Sequence, residues 1–284
     1  MSGCRPLIAG LLLLVGGAAA GLFGSLLGLG GGILLVPLMT LVFGLPLREA
    51  VAISLVSVVV TSSASAAVYL ERHVANLRLG MTLELFSAAG ALVGGLVAFV
   101  LSDRLLAGLF AALITWVAIS MARRKDPPKG APASPAPAAM PATGTVTAGG
   151  ALVDSLSGDG YRIHGLGIGV GGSVVAGLAS ALLGVGGGIV KVPVMNLGMG
   201  VPLRVATATS NMMMGITAVS SAVIYLLRGE IDPFVAGPIA LGVFIGASTG
   251  PRIASRIDTR VLRWMFVLVL AYTASQMVRK AAGL

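Results

Sequence analysis

Charge is what this chain has least of. Asp, Glu, Lys and Arg make up 10% of its 284 residues, where a soluble domain carries about 25%. Hydrophobic residues fill 56% and the mean hydropathy is +1.00, so a soluble fold would leave far too much apolar surface in water. The chain reads as an integral membrane protein. Acidic residues are scarcer than basic ones, 10 against 19. In a polytopic membrane protein that surplus belongs mainly in cytoplasmic loops, which excludes nucleic-acid binding as its meaning. Cys4 is the single cysteine, so neither a disulfide framework nor a thiolate metal site can be built. His73 and His164 fall in loops and suggest neither a metal centre nor a proton relay. No HExxH, GxSxG or Walker pattern and no pair of intramembrane aspartates occurs, so neither an enzyme nor a cofactor is expected. Aromatics are sparse at 5%, whereas there are 41 glycines. Small residues let transmembrane helices approach closely, and so many glycines also predict broken helices.

A spanning helix needs about 20 mainly apolar residues. Apolar segments run over Leu7–Leu27, Ile33–Phe43, Ala50–Leu70, Leu83–Leu101 and Leu105–Met121. A second set runs over Ile163–Leu183, Ile189–Met199, Val205–Leu227, Pro233–Gly250 and Val261–Val278. Between them, from Arg123 to Arg162, lies a stretch rich in Pro, Ala, Gly and Ser. That composition reads as an extended linker, with local order open over Thr143–Tyr161. Arg5, the apolar Leu11–Val15 and Ala18-Ala19-Ala20 resemble a signal peptide. Cleavage there would remove a helix that the second half retains, so that reading is rejected.

The two sets are copies. Adding 156 to a number in the first half finds its counterpart without a gap. Gly28-Leu29-Gly30-Gly31-Gly32-Ile33 maps on Gly184-Val185-Gly186-Gly187-Gly188-Ile189, and Pro37 maps on Pro193. Gly44-Leu45-Pro46-Leu47-Arg48 maps on Gly200-Val201-Pro202-Leu203-Arg204. Internal repeats of this kind mark secondary transporters. With the linker in the cytoplasm and each glycine-interrupted pair returning to its starting side, twelve Lys and Arg fall inside and six outside, with Lys191 left in the membrane. The opposite orientation reverses the ratio, so the positive-inside rule selects the first. Arg48 and its copy Arg204 then fall on opposite sides, and both termini are extracytoplasmic. The expectation is an all-α polytopic membrane protein of two inverted repeats. Each is a Gly-broken re-entrant or short-helix hairpin followed by three transmembrane helices. The first repeat covers residues 1–122, the cytoplasmic linker 123–162 and the second repeat 163–284.

The glycine runs are the first candidate site. Glycine in a helix interior costs about 1 kcal/mol against Ala, and three in a row should unwind the chain. The segment after each run, Ile33 to Gly44 and Ile189 to Gly200, is about 12 residues long and reaches about 18 Å, well short of the ~30 Å hydrocarbon core. Each is read as a half-helix whose amides and positive dipole end point at the break. Two such ends, at Gly30, Gly31 and Gly32 and at Gly186, Gly187 and Gly188, would form an anion site near the midplane. The bland alternative is close helix packing. Pro37 and Pro193 are read as helix kinks rather than ligands.

Lys191 stands three residues past Gly188, and its counterpart is Leu35. A charge at the bilayer centre costs at least about 2.5–3.5 kcal/mol. It is read as a lone cation that pairs with the anion, or else as a residue snorkelling to an interface. On the first reading Lys191→Met leaves folding intact. Ser54 and Thr61 lie on one helical stripe, repeated by Ser210 and Thr217, and Asn211 replaces Leu55. These can donate to anion oxygens or bond between helices. Glu84, whose copy is Ala240, is read as an interfacial carboxylate, with proton coupling as the alternative.

The run Gly28-Leu29-Gly30-Gly31-Gly32 with Pro37, its copy with Pro193, and the Gly-x-Pro-Leu-Arg after each resemble the TauE/SafE family of sulfite and organosulfonate exporters. The resemblance covers nearly the whole chain apart from the linker. It implies a bacterial inner-membrane permease that exports small sulfur-containing anions, such as sulfite or sulfoacetate, by alternating access. The partners expected are that anion and the lipid bilayer, with no nucleic acid, and a homo-oligomer is compatible with the sequence. The competing readings are a transporter or channel for another small anion and a non-transporting membrane scaffold.

Overall fold

The computed structural model describes residues 4–27, 31–71, 75–123, 156–157, 161, 163–253 and 259–282. Gly28, Leu29 and Gly30 of the first glycine run and residues 124–155 of the linker lie outside them. The described residues form helices and no strand. In the first half these are α1 (Cys4–Leu27), α2 (Gly32–Pro37), α3 (Leu47–Glu71), α4 (Leu77–Val100) and α5 (Asp103–Arg123). In the second they are α6 (Leu166–Leu183), α7 (Gly188–Pro193), α8 (Leu203–Leu227), α9 (Pro233–Ile253) and α10 (Thr259–Ala282). Four stretches, in α3, α4, α6 and α8, are long and apolar enough to cross a membrane. The outside of α4 carries Met81, Leu85, Leu92 and Leu96, while Glu84, Ser87 and Gly94 are buried. Apolar side chains face outward and polar ones inward, as a lipid solvent requires.

The repeat is visible bond by bond. The Gly31 carbonyl accepts from the amides of Leu34 and Leu35, at 3.1 and 3.2 Å, and the Gly187 carbonyl accepts from Val190 and Lys191, at 3.1 and 3.0 Å. Leu45 N–H donates to Met39 at 3.1 Å, and its copy Val201 donates to Met195 at 2.9 Å. Both short helices end at a proline. Pro has no N–H and disturbs the α-helical ladder, and beyond it each chain continues as a π-helical turn, Leu38–Val42 and Val194–Gly198. Thr40 Oγ1 donates to the carbonyls of Val36 and Pro37, at 3.0 and 3.2 Å, inside the first of these turns.

The halves interlock. Helix α3 packs on its copy α8 and α5 on its copy α10, but α1 packs on α9 and α6 on α4. Small residues make these last contacts. A Cβ on Gly17 would lie 2.6 Å from the Ile239 carbonyl oxygen and one on Gly21 2.5 Å from that of Val243, so α1 and α9 run in the same direction. Gly90 faces the Val174 carbonyl and Gly94 that of Leu178, so α4 and α6 do likewise. Gly177, the copy of Gly21, sits against the Ser87 carbonyl, the copy of Val243. Gly177→Ala forces backbone against side chain, and overpacking of this kind costs about 1–3 kcal/mol. A methyl group on Gly171, on the same helix, would meet nothing within 4 Å. We expect Gly177→Ala to lower the thermal midpoint in detergent and Gly171→Ala to leave it level or raise it slightly. Equal effects would remove the close-packing account.

Two ends of the fold are tied by polar contacts. At one, the start of α4, the Asn76 side chain caps the helix by accepting from Leu79 N–H at 3.1 Å. Its Nδ2 donates to the Leu156 carbonyl and to Tyr161 Oη, both at 2.8 Å. The end of the linker is thereby docked beside α4, with Leu156 packed near Leu79 and Leu83. At the other end, Arg48 and Arg228 both lie over the Phe99 ring, 5.8 and 5.0 Å from its centre. Arg48 also pairs with Asp103 at 3.3 Å and donates to the Leu101 carbonyl at 2.7 Å.

Candidate functional site

The two glycine breaks meet. Gly31 adopts φ 75°, and Gly184, Gly186 and Gly187 adopt 69°, 79° and 73°, the left-handed region where a Cβ is penalised. Gly32 sits against the Gly184 carbonyl, too close for any side chain. Ser54, on α3, donates to that carbonyl at 2.7 Å and lies 3.3 Å from the carbonyl of Gly32. One hydroxyl therefore joins both breaks. The groups that meet there are two carbonyls and a hydroxyl. Around the second break, a Cβ on Gly186 would lie 2.7 Å from Val58, one on Gly187 2.8 Å from the Ala176 carbonyl, and one on Gly188 3.4 Å from Ser210 Oγ. Gly30 lies outside the described residues.

Lys191, one turn into α7, is 1% exposed. Its Nζ donates to Glu84 Oε2 at 2.9 Å and to Thr217 Oγ1 at 2.6 Å. Thr217 Oγ1 in turn donates to Glu84 Oε1 at 2.6 Å. The three side chains, from α7, α4 and α8, close a ring. Two sequence expectations are corrected by it. Lys191 does not snorkel and is not a lone charge, because Glu84 neutralises it. Glu84 is not interfacial: it is 3% exposed. Its depth follows from the start of α4, which the Asn76 cap places at Leu77 rather than at the first uninterrupted apolar residue, Leu83. Seven residues at 1.5 Å each carry Glu84 about 10 Å into the helix.

The remaining candidates divide. Thr61, the copy of Thr217, donates to the Ser57 carbonyl of its own helix at 2.8 Å. The ring has no second copy, since the matching positions are Leu35, Thr61 and Ala240. Asn211 is buried, and its carbonyl accepts from Ser62 Oγ at 2.6 Å, which ties α3 to α8. Ser210 Oγ is buried with no hydrogen-bond partner, and so are Ser180 Oγ and Ser87 Oγ. Ser180 flanks Gly187 from α6, with its Cβ 3.5 Å from where a Gly187 methyl would stand. Ser87 lies one turn along α4 from Glu84. Sequence reasoning missed Ser87 and Ser180 because both sit in small-residue helix faces. Their offsets, three residues after Glu84 and four before Gly184, were the available signal.

The site is a buried cluster of side chains rich in donors. An ammonium has three donors, of which two are used here, and three serine hydroxyls stand nearby on the surrounding helices without partners. A cavity of about 320 Å³ lies elsewhere, lined by Gly16, Ala20, Leu34, Pro37 and Tyr272, and is apolar. Among the described residues no cluster of His, Cys, Asp and Glu could hold a metal.

The chain is 26% identical over 274 residues to "Probable membrane transporter protein YunE" of Bacillus subtilis (strain 168), covering 94% of this chain and 96% of that protein. It is 24% identical over 274 residues to "Probable membrane transporter protein MJ0441" of Methanocaldococcus jannaschii, covering 91% of each. No solved structure matches it. The family described as "Sulfite exporter TauE/SafE" matches residues 13–277, nearly the whole length, and the chain belongs to that family.

Proposed function

We propose that this membrane transporter moves small sulfur-containing anions, sulfite or an organosulfonate such as sulfoacetate, outward across the cytoplasmic membrane by alternating access. The observation that carries the reading is the buried Lys191 one turn past the second glycine break, with the unpartnered hydroxyls of Ser180 and Ser210 beside that break and of Ser87 one turn from Glu84. Anion oxygens would accept from the third Lys191 donor and from these hydroxyls. A non-transporting scaffold gives no reason for a charged ring in a buried position.

The halves are read as inverted, and helix directions support this. Gly31 lies by Ala20 and Leu38 by Gly16, so α2 runs back along α1. Gly32 lies by Ser54 and Val58 while α3 begins at Leu47, so α3 reverses again. Arg48, at the start of α3, reaches the Leu101 carbonyl just past the end of α4, so α4 reverses a third time. Helix α4 thus opposes α1, whereas its copy α9 runs with α1. The side assignment rests on charge. The docked linker end and Arg78 share one end of α4, and Arg48 and Arg228 share the other, as the cytoplasmic-linker orientation requires.

A thermal-stability screen of purified protein against sulfite, sulfate, thiosulfate, sulfoacetate, taurine and carboxylates tests the substrate class, because a ligand that binds the folded protein raises the midpoint increasingly as its concentration exceeds its Kd. We expect sulfite or sulfonates to raise it and carboxylates not to. A shift with carboxylates alone would overturn the sulfur-anion assignment. Reporter fusions should place the linker in the cytoplasm and both termini outside, and a cytoplasmic C-terminus would remove the inverted arrangement.

A further inference from the structure

The ring of Lys191, Glu84 and Thr217 poses a problem for an anion site. The ammonium that would hold the anion is already held by a carboxylate at 2.9 Å, and both groups are buried. An arriving anion would bring a second negative charge beside Glu84 with one cation between them. In a buried site two negative charges cannot share one cation cheaply, because removing ions from water costs several kcal/mol each. Among the described residues no other charge is seen beside the pair. Helix α6 has no ionisable residue between Leu166 and Leu183. Helix α8 carries only Arg204, at its start, and Tyr225, near its end. Arg78, on α4 itself, is exposed. Among the described residues, Lys191 is the one cation acting on Glu84.

We propose that Glu84 and the transported anion compete for Lys191, so that each anion is bound together with one proton taken up by Glu84. This rests on the anion-transport reading above. Before binding, the ammonium and carboxylate sum to zero. The anion replaces the carboxylate on the Lys191 ammonium, and a proton from water is taken up on a Glu84 oxygen. After binding, a cation, an anion and a neutral acid again sum to the charge of the anion plus its proton. No bond other than the carboxylic O–H forms. Thr217 serves both states: its hydroxyl donates to the ionised carboxylate, and it can accept from the protonated one. For a monoanion the loaded site is neutral, which favours its passage through the membrane interior. The repeat supplies an internal contrast, since Leu35, Thr61 and Ala240 keep the hydroxyl and lack both charges. The coupling device is therefore built once, from Glu84 of the first repeat with Lys191 and Thr217 of the second.

The test uses methanesulfonate, which stays ionised throughout the working pH range, so that any pH dependence belongs to the protein. Its binding to the purified full-length protein in lipid nanodiscs is measured over a pH series, with proton uptake read from an indicator in weak buffer. We expect uptake of one proton per anion and an affinity that falls by about tenfold per pH unit on the alkaline side. Glu84→Gln should bind with no proton uptake and a flat pH profile, and should be the tighter binder at alkaline pH. Glu84→Asp keeps a titratable group and should keep the slope. If Glu84→Gln does not fold, the wild-type proton count and the Asp variant decide alone. Wild-type binding without proton uptake, or an undiminished slope in Glu84→Gln, would overturn the coupling and leave the anion site standing. Absence of binding of methanesulfonate, sulfite and sulfate at every pH would overturn the transport reading and the coupling with it.

Discussion

Lys191→Met should destabilise the fold by about 3–5 kcal/mol, the usual result of leaving one partner of a buried ion pair behind. Glu84 would be left 3% exposed and without its cation. Met matches Lys in length and suits lipid, and from the sequence alone the substitution looks neutral for folding. The pairing reverses that expectation. Removing both charges, by Lys191→Met with Glu84→Gln, should return most of the lost stability, since no buried charge is then uncompensated. Anion binding should be lost in both proteins. Thermal midpoints and binding of sulfite and methanesulfonate, measured on the same preparations, separate the two effects. A single mutant as stable as wild type would mean that the ring does not hold in the membrane. A double mutant that still binds with wild-type affinity would remove Lys191 from the site.

Gly187→Ala should be more damaging than Gly31→Ala, although the two glycines are copies. Both have positive φ, 73° and 75°, so each substitution carries about 1–2 kcal/mol of backbone strain. The surroundings differ. A Cβ on Gly187 would lie 2.8 Å from the Ala176 carbonyl oxygen, whereas one on Gly31 would lie 3.3 Å from that of Ala20. Gly187 also leads directly into the turn that carries Lys191. We expect at least tenfold weaker anion binding for folded Gly187→Ala protein, equivalent to about 1.4 kcal/mol, and a smaller loss for Gly31→Ala. Wild-type affinity in both would refute the idea that the breaks form the site. Equal losses would show that the second break has no privileged role.

Much of the architecture was legible because duplication doubles every signal. One glycine run could be a packing motif, but two at a constant offset, each before a short apolar segment and a proline, specify a broken helix. The π-helical turns after Pro37 and Pro193 were not legible, since the sequence shows that an amide is missing and not how the ladder adjusts. The ring was half legible. Lys191 stood out because its copy is Leu35. Glu84 also stood out, its copy being Ala240, but Arg78 six residues earlier placed it near the end of its helix. A cap at Asn76 was the local feature that moves that boundary, and reading it would have carried Glu84 inward. The pairing of Glu84 with Lys191, 107 residues apart in the chain, depends on the interlock of α4 with the second half, which no local pattern reports.

That interlock sets a clock on biosynthesis. The glycine face of α1 that receives α9 is made near residues 17–21, and its counterpart near residues 239–246. More than 200 residues separate them, and at 5–20 residues per second translation needs on the order of 10–45 s to supply the partner. Throughout that interval α1 sits in the bilayer with its small-residue face open to lipid or to other nascent chains. Helix α4 waits less, because α6 follows directly after the linker. The second half is thus recruited onto α4 before α1 is finally enclosed, and the first helix inserted is among the last to reach its final neighbours. A ribosome stalled between α6 and α9 would leave a membrane intermediate with α4 paired and α1 exposed, the natural target for a chaperone or a protease.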